Sequence, residues 1–197
     1  MSFLQPTDRL RFNEPVGILL LILGICGVLA LVSHYPFDPS WNTAETRNEF
    51  RNLIGKPGAY GSDLALQVLG GAAYLLPAFA FVIGWFWIRS TPIERPIWRF
   101  VGAVCFLLTT CTGLALTSLP RMFYDTVSPG GALGLVTSNL LVEFFNQVGA
   151  FLVLLAAATV SIYMMTSFTV EAVFSRWSVL WYPVRLLRKR WQSWREL

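Results

Sequence analysis

Few side chains in this chain of 197 residues have the type and spacing that chemistry requires. His34 is the only histidine, and neither a second metal ligand nor a carboxylate at catalytic spacing stands near it. A phosphate-binding loop needs a glycine upstream of its Gly-Lys pair, whereas Gly55-Lys56 lacks that glycine and is followed by Pro57. The sequence therefore predicts a non-catalytic chain with no catalytic residue, no metal site and no bound cofactor.

The three cysteines give no sign of redox or metal chemistry. Cys26, Cys105 and Cys111 all fall inside long apolar stretches. A thiol in such surroundings behaves as a small hydrophobic group. We therefore expect no disulfide bond.

The elements that must position the remaining polar residues are membrane-spanning helices. The composition is 55% apolar and only 13% charged, which is more apolar surface than a soluble domain of this size can bury. About 20 apolar residues in a helix cross the hydrocarbon core of a bilayer. The sequence predicts an all-α membrane domain over 15–171, with four spans near 15–34, 64–88, 99–119 and 148–170.

The distribution of basic residues predicts the orientation. Eleven of the 15 Lys and Arg residues lie before the first span, between the second and third spans, or after the fourth. Short segments rich in Lys and Arg stay in the cytoplasm. We expect a cytoplasmic lead over 1–14, an outer loop over 35–63, and a cytoplasmic tail over 172–197 that leads to a linker.

The outer loop carries the most specific pattern in the chain. Its first part reads SHYPFDPSWN, and its second part continues through the start of the second span. The residues that form this pattern are Asp38, Pro39, Ser40, Trp41, Asn42, Asn52, Gly55, Gly58 and Asp63. Together with Pro77 and with the glycines at 130, 131 and 134, the pattern resembles the N-terminal membrane domain of the FtsK/SpoIIIE DNA translocases.

This resemblance implies a function that the residues alone do not give. It implies a domain that anchors a cell-division DNA translocase in the bacterial inner membrane at the septum. It also implies a homo-oligomer, a hexamer in this family, that contacts other division proteins. ATP, Mg and DNA would be bound only by a cytoplasmic motor that these residues do not include. We expect the outer loop, together with Asn139 and Glu143, to contact the partners.

Two interpretations of Trp41 stay open at this point. Its ring suits a membrane interface, and it also suits the centre of a protein contact.

Small residues within the spans predict where helices pack. In lipid, close van der Waals packing draws helices together, so a row of small side chains marks a contact face. The first span carries Gly17, Gly24 and Gly27. The second carries Gly70, Ala73, Pro77, Ala80 and Gly84, and we expect Pro77 to kink it. These faces are predicted to pack subunits of the oligomer.

The segment 133–146 is too short to cross the membrane alone. Two complete crossings between 133 and 170 would place the basic tail outside, so the charge distribution excludes them. Asn139 and Glu143 share one helical face, while Leu133, Leu140 and Phe144 share another. The spacing predicts a short amphipathic helix that lies on the outer face or dips into it. A role for Glu143 as a proton relay is the alternative to a place on the polar face.

The tail predicts a basic amphipathic helix at the cytoplasmic membrane surface. The residues predicted to bind at the membrane surface are Arg185, Arg188, Lys189, Arg190, Trp191 and Trp194. Aromatic and basic groups interleaved in this way bind either anionic lipid or nucleic acid, and the adjacent span favours lipid.

Two other functions remain open. A small transporter or channel subunit would need a polar path, and the interiors of the four spans lack ionisable residues. A membrane scaffold of the division machinery without a motor would differ only in the sequence beyond Leu197.

Overall fold

The computed structural model describes residue 6 and residues 10–41, 49–117 and 119–166. These residues form helices and connecting loops, with one isolated β-bridge between Met122 and Val127. The elements are α1 (Leu10–Val32), α2 (Lys56–Leu69), a 3-10 turn (Gly70–Tyr74), α3 (Leu75–Ile88), α4 (Pro96–Leu116) and α5 (Gly131–Met165).

Four helical stretches are long and apolar enough to cross a membrane, which confirms the four-span fold class. The second stretch joins α2, the 3-10 turn and α3 into residues 56–88. The helix starts precede their predicted positions, by the largest margins in the first two spans. Helix α1 begins at Leu10, because Pro15 removes only a hydrogen bond close to the helix start. Helix α2 begins at Lys56, within the segment that was predicted to be loop.

Helices α1 and α3 pack through small residues at close range. A methyl group at Gly17 would lie 2.6 Å from Ile88 Cγ1, and one at Gly24 would lie 2.9 Å from the Phe81 ring. Gly27 faces Pro77 in the same contact. The predicted small-residue face of the first span is therefore occupied within the chain. It packs α1 on α3, so it is not available to a second subunit.

Helices α4 and α5 form a second close pair. A methyl group at Gly102 would lie 3.0 Å from the Ser161 carbonyl oxygen, and one at Gly113 would lie 3.3 Å from Leu154 Cδ2. The sequence patterns did not indicate either glycine as a contact. Their spacing of eleven residues places them on nearly the same helix face, although it is longer than the spacings of three, four or seven that usually indicate a contact face.

Both long helices are interrupted, and each is longer than the hydrocarbon core of a membrane is thick. At 1.5 Å per residue, 33 and 35 residues extend about 50 Å, whereas the hydrocarbon core is about 30 Å thick. The second span is interrupted at Gly70–Tyr74, in the turn before Pro77, where the proline deprives Ala73 of its helical partner. Helix α5 is interrupted at Asn146, where φ is 59° and ψ is 169°.

Helix α5 folds back at Asn146. Gly134 packs against Ala115 and Leu154 packs against Gly113, so both contact one turn of α4. An unbroken helix would separate positions 134 and 154 by about 30 Å. The two parts must therefore form an angle, and we call residues 131–145 the cap leg and residues 147–165 the span leg.

A glycine junction joins the two helix pairs. Gly70 and Gly131 have φ values of 59° and 63°, which glycine adopts without steric cost. A methyl group on Gly70 would lie 2.6 Å from the Pro129 carbonyl carbon, and one on Gly131 would lie 2.6 Å from that of Val68. The Gly71 amide donates a hydrogen bond to the Pro129 carbonyl at 2.8 Å. The backbones at this junction touch directly, so no side chain fits between them.

The elements beyond this junction form a layer that we call the distal cap. It comprises residues 33–41 and 49–55, helix α2, the described part of the 117–130 loop, and the cap leg. A buried apolar cluster attaches the cap to the spans. Its members are Leu31, Leu66, Leu69, Ala72, Ala73, Cys111 and Val127.

At the opposite end, a buried amide ties α1 to the link between α3 and α4. Asn13 is fully buried and donates from Nδ2 to Ser90 Oγ at 3.1 Å. Ser90 has a positive φ of 48°. An unpaired buried amide is costly, so this contact fixes the start of α1 against the turn.

Candidate functional site

Asp38 holds the two parts of the outer loop together. Its carboxylate accepts hydrogen bonds from the Arg51 amide at 3.0 and 3.1 Å and from the Asn52 amide at 2.9 Å. The Asp38 amide donates to the Tyr35 carbonyl at 3.0 Å, which closes the turn that carries the carboxylate. Asp38 is only 4% exposed. Charge-assisted bonds of this kind are about twice as strong as neutral ones.

Asn52 connects this loop to the end of α1 and to α2. Its Nδ2 donates to the Ala30 carbonyl at 2.8 Å and approaches Ser62 Oγ at 3.4 Å. Ala30 lies in the last turn of α1, where carbonyls lack helical partners, so Asn52 satisfies a group that the helix leaves open. Asn52 Oδ1 accepts from the Ile54 amide at 3.1 Å. One buried side-chain amide thus bonds to α1, to α2 and to the loop between them.

Gly58 leaves the space that Asn52 occupies. A methyl group at Gly58 would collide with Asn52 Oδ1 and lie 2.6 Å from Ile54 Cβ. The spacing from Asn52 to Gly58 therefore follows from packing. Gly55, between them, precedes α2 with a φ of 70°.

His34 and Ser62 form the inner wall of the cap. His34 Nδ1 lies 3.2 Å from Ser62 Oγ, and Ser62 Oγ donates to the Ala59 carbonyl at 3.3 Å. The imidazole meets the Phe123 ring edge-on with 5.0 Å between centroids. Burial lowers the pKa of His34 below its usual 6.5, against the opposing attraction of the Asp63 and Asp38 carboxylates. The ring is therefore neutral at pH 7.

Asp63 also points inward. It is 8% exposed and accepts a hydrogen bond from Gln67 Nε2 at 2.8 Å, one helical turn further along α2. Within the described ranges, no three His, Cys, Asp or Glu side chains lie close enough together to hold a metal ion.

The structure separates the predicted partner-binding residues into two groups. The side chains of Asp38, Asn52 and Asp63 bond within the chain, and Gly58 is buried against Asn52. A partner would meet the surface that these residues position, because the groups themselves are covered. Trp41 is 74% exposed, Asn139 and Glu143 are at the surface, and Pro39 and Ser40 are half-buried.

Several predicted positions lie outside the described residues. These are Asn42 and the tail residues Arg185, Arg188, Lys189, Arg190, Trp191 and Trp194.

An exposed aromatic surface was not predicted from the sequence. Tyr35, Phe37 and Tyr124 lie with ring centroids 5.4 to 6.5 Å apart, and the Arg51 guanidinium lies 4.5 Å from the Tyr35 ring centroid. Tyr124 is 77% exposed and belongs to a run of three positive φ values from Phe123 to Asp125. We call the three rings of Tyr35, Phe37 and Tyr124 the aromatic patch. It joins two loops that are distant in sequence, so no local pattern announces it.

A second exposed pair lies at the start of α2. The Trp41 and Tyr60 rings meet edge-on with 5.4 Å between centroids, and the Lys56 ammonium lies 5.8 Å from the Tyr60 centroid. Large exposed aromatic rings on a fixed loop are typical of surfaces that recognise a partner or a membrane interface.

Comparisons with known proteins identify what the chain is similar to. A family model described as the 4TM region of DNA translocase FtsK/SpoIIIE matches residues 9–178. The DNA translocase FtsK of Rickettsia typhi is 34% identical over 135 residues, which cover 68% of this chain and 18% of that protein. Vibrio vulnificus FtsK is 32% identical over 161 residues, which cover 77% of the chain and 16% of the relative.

The similarity is confined to a small part of the relatives. The DNA translocase FtsK of Azospirillum brasilense is 32% identical over 137 residues, which cover 67% of the chain and 22% of that protein. The chain thus spans about a fifth of the length of these relatives, and it matches only their membrane domain. No solved structure matches the chain.

Proposed function

This chain belongs to the FtsK/SpoIIIE family of DNA translocases, and we propose that it anchors a translocase that couples chromosome segregation to cell division. The observation that carries the proposal is the family match over residues 9–178, which coincides with four helices able to cross a membrane. The chain is the membrane domain of such a protein. It is a multi-pass protein of the inner membrane.

The proposed orientation places both ends of the chain in the cytoplasm. Positive charges hold cytoplasmic segments in place, and Arg11, Arg89 and Arg99 all lie at the end of the bundle opposite the distal cap. A motor that follows the tail would then meet DNA in the cytoplasm, with ATP and Mg bound there. The distal cap would face the periplasm.

We propose that the distal cap is the partner-binding part of the domain. The buried bonds of Asp38 and Asn52 fix the loop before a partner arrives, which lowers the conformational entropy lost on binding. The exposed rings of Trp41, Phe37 and Tyr124 supply the contact area. Partners of matching chemistry are other division proteins with apolar, aromatic surfaces, and they recruit the chain to the septum.

Self-association uses other surfaces. The small residues of α1 are already packed on α3, so a homo-oligomer must form through exposed helix faces. The exposed apolar side chains of α4 include Phe100, Val104 and Leu108.

Localisation in dividing bacteria tests this function. A fluorescent fusion of the 197-residue chain is expected to concentrate at the septum. The double variant Trp41→Ala, Tyr124→Ala is expected to stay in the membrane but lose septal enrichment, because it removes contact area without breaking the buried bonds. A matched control, Ser128→Ala on the same loop, should localise normally.

Cross-linking adds an independent test of the partner surface. A single cysteine at Trp41, in a chain freed of its native cysteines, is expected to capture a division protein in dividing cells. An even distribution of the wild-type fusion over the membrane would refute recruitment to the septum. Normal septal enrichment of the double variant would show that Trp41 and Tyr124 do not form the partner-binding surface.

A further inference from the structure

We propose that the cap leg of α5 is a wedge embedded sideways in the membrane leaflet next to the distal cap, with lipid as its occupant. This inference rests on the four-span membrane domain and is independent of which partners the cap binds. Three observations support it: the height of the cap leg relative to α4, the separation of polar and apolar side chains around the leg, and the exposed apolar face of the adjoining span leg.

The depth of the leg follows from where its two ends are attached. Gly134 and Leu154 contact the same turn of α4, at residues 111–115. Seven residues of helix, about 10 Å, separate Leu154 from residue 147, where the span leg begins. Helix α4 itself continues about 5 Å beyond Gly113 to its end at Leu116. The tip at Asn146 thus rises no more than about 5 Å above the end of α4.

That height lies within the interfacial layer of a bilayer. Helix α4 has 21 residues and extends about 30 Å, so it spans the hydrocarbon core and ends near its boundary. The headgroup layer adds roughly 5 to 8 Å on each side of the core. The leg therefore runs beside the bundle at headgroup depth and does not stand up into water.

The surface of the leg is divided lengthwise into three faces. Gly131, Gly134 and Ser138 are buried against the bundle. At 100° per residue, Asn139 and Glu143 form one flank, an exposed polar strip, and the partly exposed Leu135 and Val142 lie between this strip and the buried face. The other flank carries Leu133, Val136, Leu140 and Phe144, and its exposure rises to 79% at Phe144.

A leg of this kind fits one orientation at the interface. One flank turns to water, and the other turns to acyl chains. An interfacial helix buries its apolar face about 5 to 10 Å into the headgroup and acyl boundary, which matches the depth of the cap leg.

The apolar surface continues beyond the bend. Val148, Leu152 and Leu155 on the span leg are each at least 64% exposed, and they recur at spacings of four and three on one face of a membrane-crossing helix. Phe144 and Val148, which stand on either side of the break, are 79% and 75% exposed. Lipid on the span leg is required by the fold, and the same lipid covers the apolar flank of the cap leg.

The wedge has a mechanical consequence. A helix fixed in one leaflet at an angle to its own span restrains the tilt and rotation of that span. It also leaves Asn139 and Glu143 on the water side, beside the cap surface that faces partners.

Spin labels at paired positions test the proposal. The background chain carries Cys26→Ala, Cys105→Ala and Cys111→Ser, the last to keep the hydrogen bond to the Leu69 carbonyl. Single cysteines replace Leu140 and Phe144 on the apolar flank and Asn139 and Glu143 on the polar flank. Each variant is reconstituted in phosphatidylethanolamine and phosphatidylglycerol vesicles, and collisions with oxygen and with a water-soluble nickel chelate are measured.

The expected result is a ratio of oxygen to nickel collisions severalfold higher at 140 and 144 than at 139 and 143. A low ratio at all four positions would overturn the proposal, because the whole leg would be in water. Protection of 140 and 144 from both reagents would also overturn it, because protein would cover that flank. If an apolar-flank variant fails to reconstitute, Leu133→Cys replaces it, and each polar-flank position serves as the substitute for the other.

Discussion

The variant Gly58→Ala tests whether side-chain packing or helix propensity determines stability at this position. Gly58 lies in the first turn of α2, where replacement of glycine by alanine ordinarily stabilises a helix by up to about 1 kcal/mol. Here the new carbon would collide with Asn52 Oδ1 and approach Ile54 Cβ to 2.6 Å. The structure therefore predicts the opposite sign.

The size of the effect depends on which groups must move. Overpacking of a filled site costs about 1 to 3 kcal/mol. Displacement of Asn52 also breaks its bond to the Ala30 carbonyl, a net loss of about 0.5 to 1.5 kcal/mol. Less the gain in propensity, we expect Gly58→Ala to destabilise the chain by roughly 1 to 4 kcal/mol.

Gly61→Ala is the matched control. Gly61 lies on the same helix, is exposed, and has no atom within 4 Å of an added carbon. We expect this variant to be neutral or slightly stabilised. Denaturant titration in mixed micelles, with both variants and the parent chain measured together, gives the free energy of unfolding. Gly58→Ala as stable as Gly61→Ala would refute the packing of the cap around Asn52.

Three further predictions concern the cap and the junction. Asp38→Ala leaves two backbone amides without their acceptor, so we expect the free energy of unfolding to fall by about 2 to 4 kcal/mol in the same titration. Trp41→Ala should change it little, and equal losses for the two variants would contradict the role of Asp38. Because burial lowers the pKa of His34, its contribution to the free energy of unfolding should be complete above about pH 6.5 and be lost as the pH falls towards that lowered pKa. We expect His34→Gln to reduce the dependence of the melting temperature on pH. An unchanged dependence would show that His34 does not cause it. Gly131→Ala should be strongly destabilised, since both its φ and the adjacent Val68 carbonyl oppose a methyl group, and we expect loss of monodisperse protein in detergent. Recovery of Gly131→Ala like that of Gly61→Ala, whose added carbon meets no atom within 4 Å, would count against the junction.

The spans were predictable because apolar length and basic charge act locally along the chain. Both breaks were predictable: Pro77 indicated the first, and the division between the short helix predicted at 133–146 and the span predicted from 148 indicated the second, which lies at Asn146. The bonds that the polar residues of the outer loop make within the chain were not predictable, for a physical reason. A loop that covers a helix end must satisfy its own buried amides, and Asp38 and Asn52 do so through contacts 13 to 22 residues apart.

The junction shows the same limit. Gly130, Gly131 and Gly134 belong to the pattern that resembles the family, and Gly131 begins α5 with a positive φ. Their contacts with Gly70 and Ala115 connect separate spans, so no spacing within one segment could reveal them. Composition predicts which segments are helices, whereas the contact that each glycine makes depends on packing between helices that are distant in sequence.

Thiol labelling from each side of the membrane tests the central claim most directly. Single cysteines replace Trp41 and Tyr124 on the distal cap and Thr91 on the opposite turn, in the chain freed of its native cysteines. We expect an impermeant maleimide to label positions 41 and 124 in spheroplasts with an intact inner membrane, and to label position 91 only after that membrane is opened. Labelling of position 91 in the intact spheroplasts, or protection of both cap positions until the membrane is opened, would contradict a four-span domain whose cap faces the periplasm.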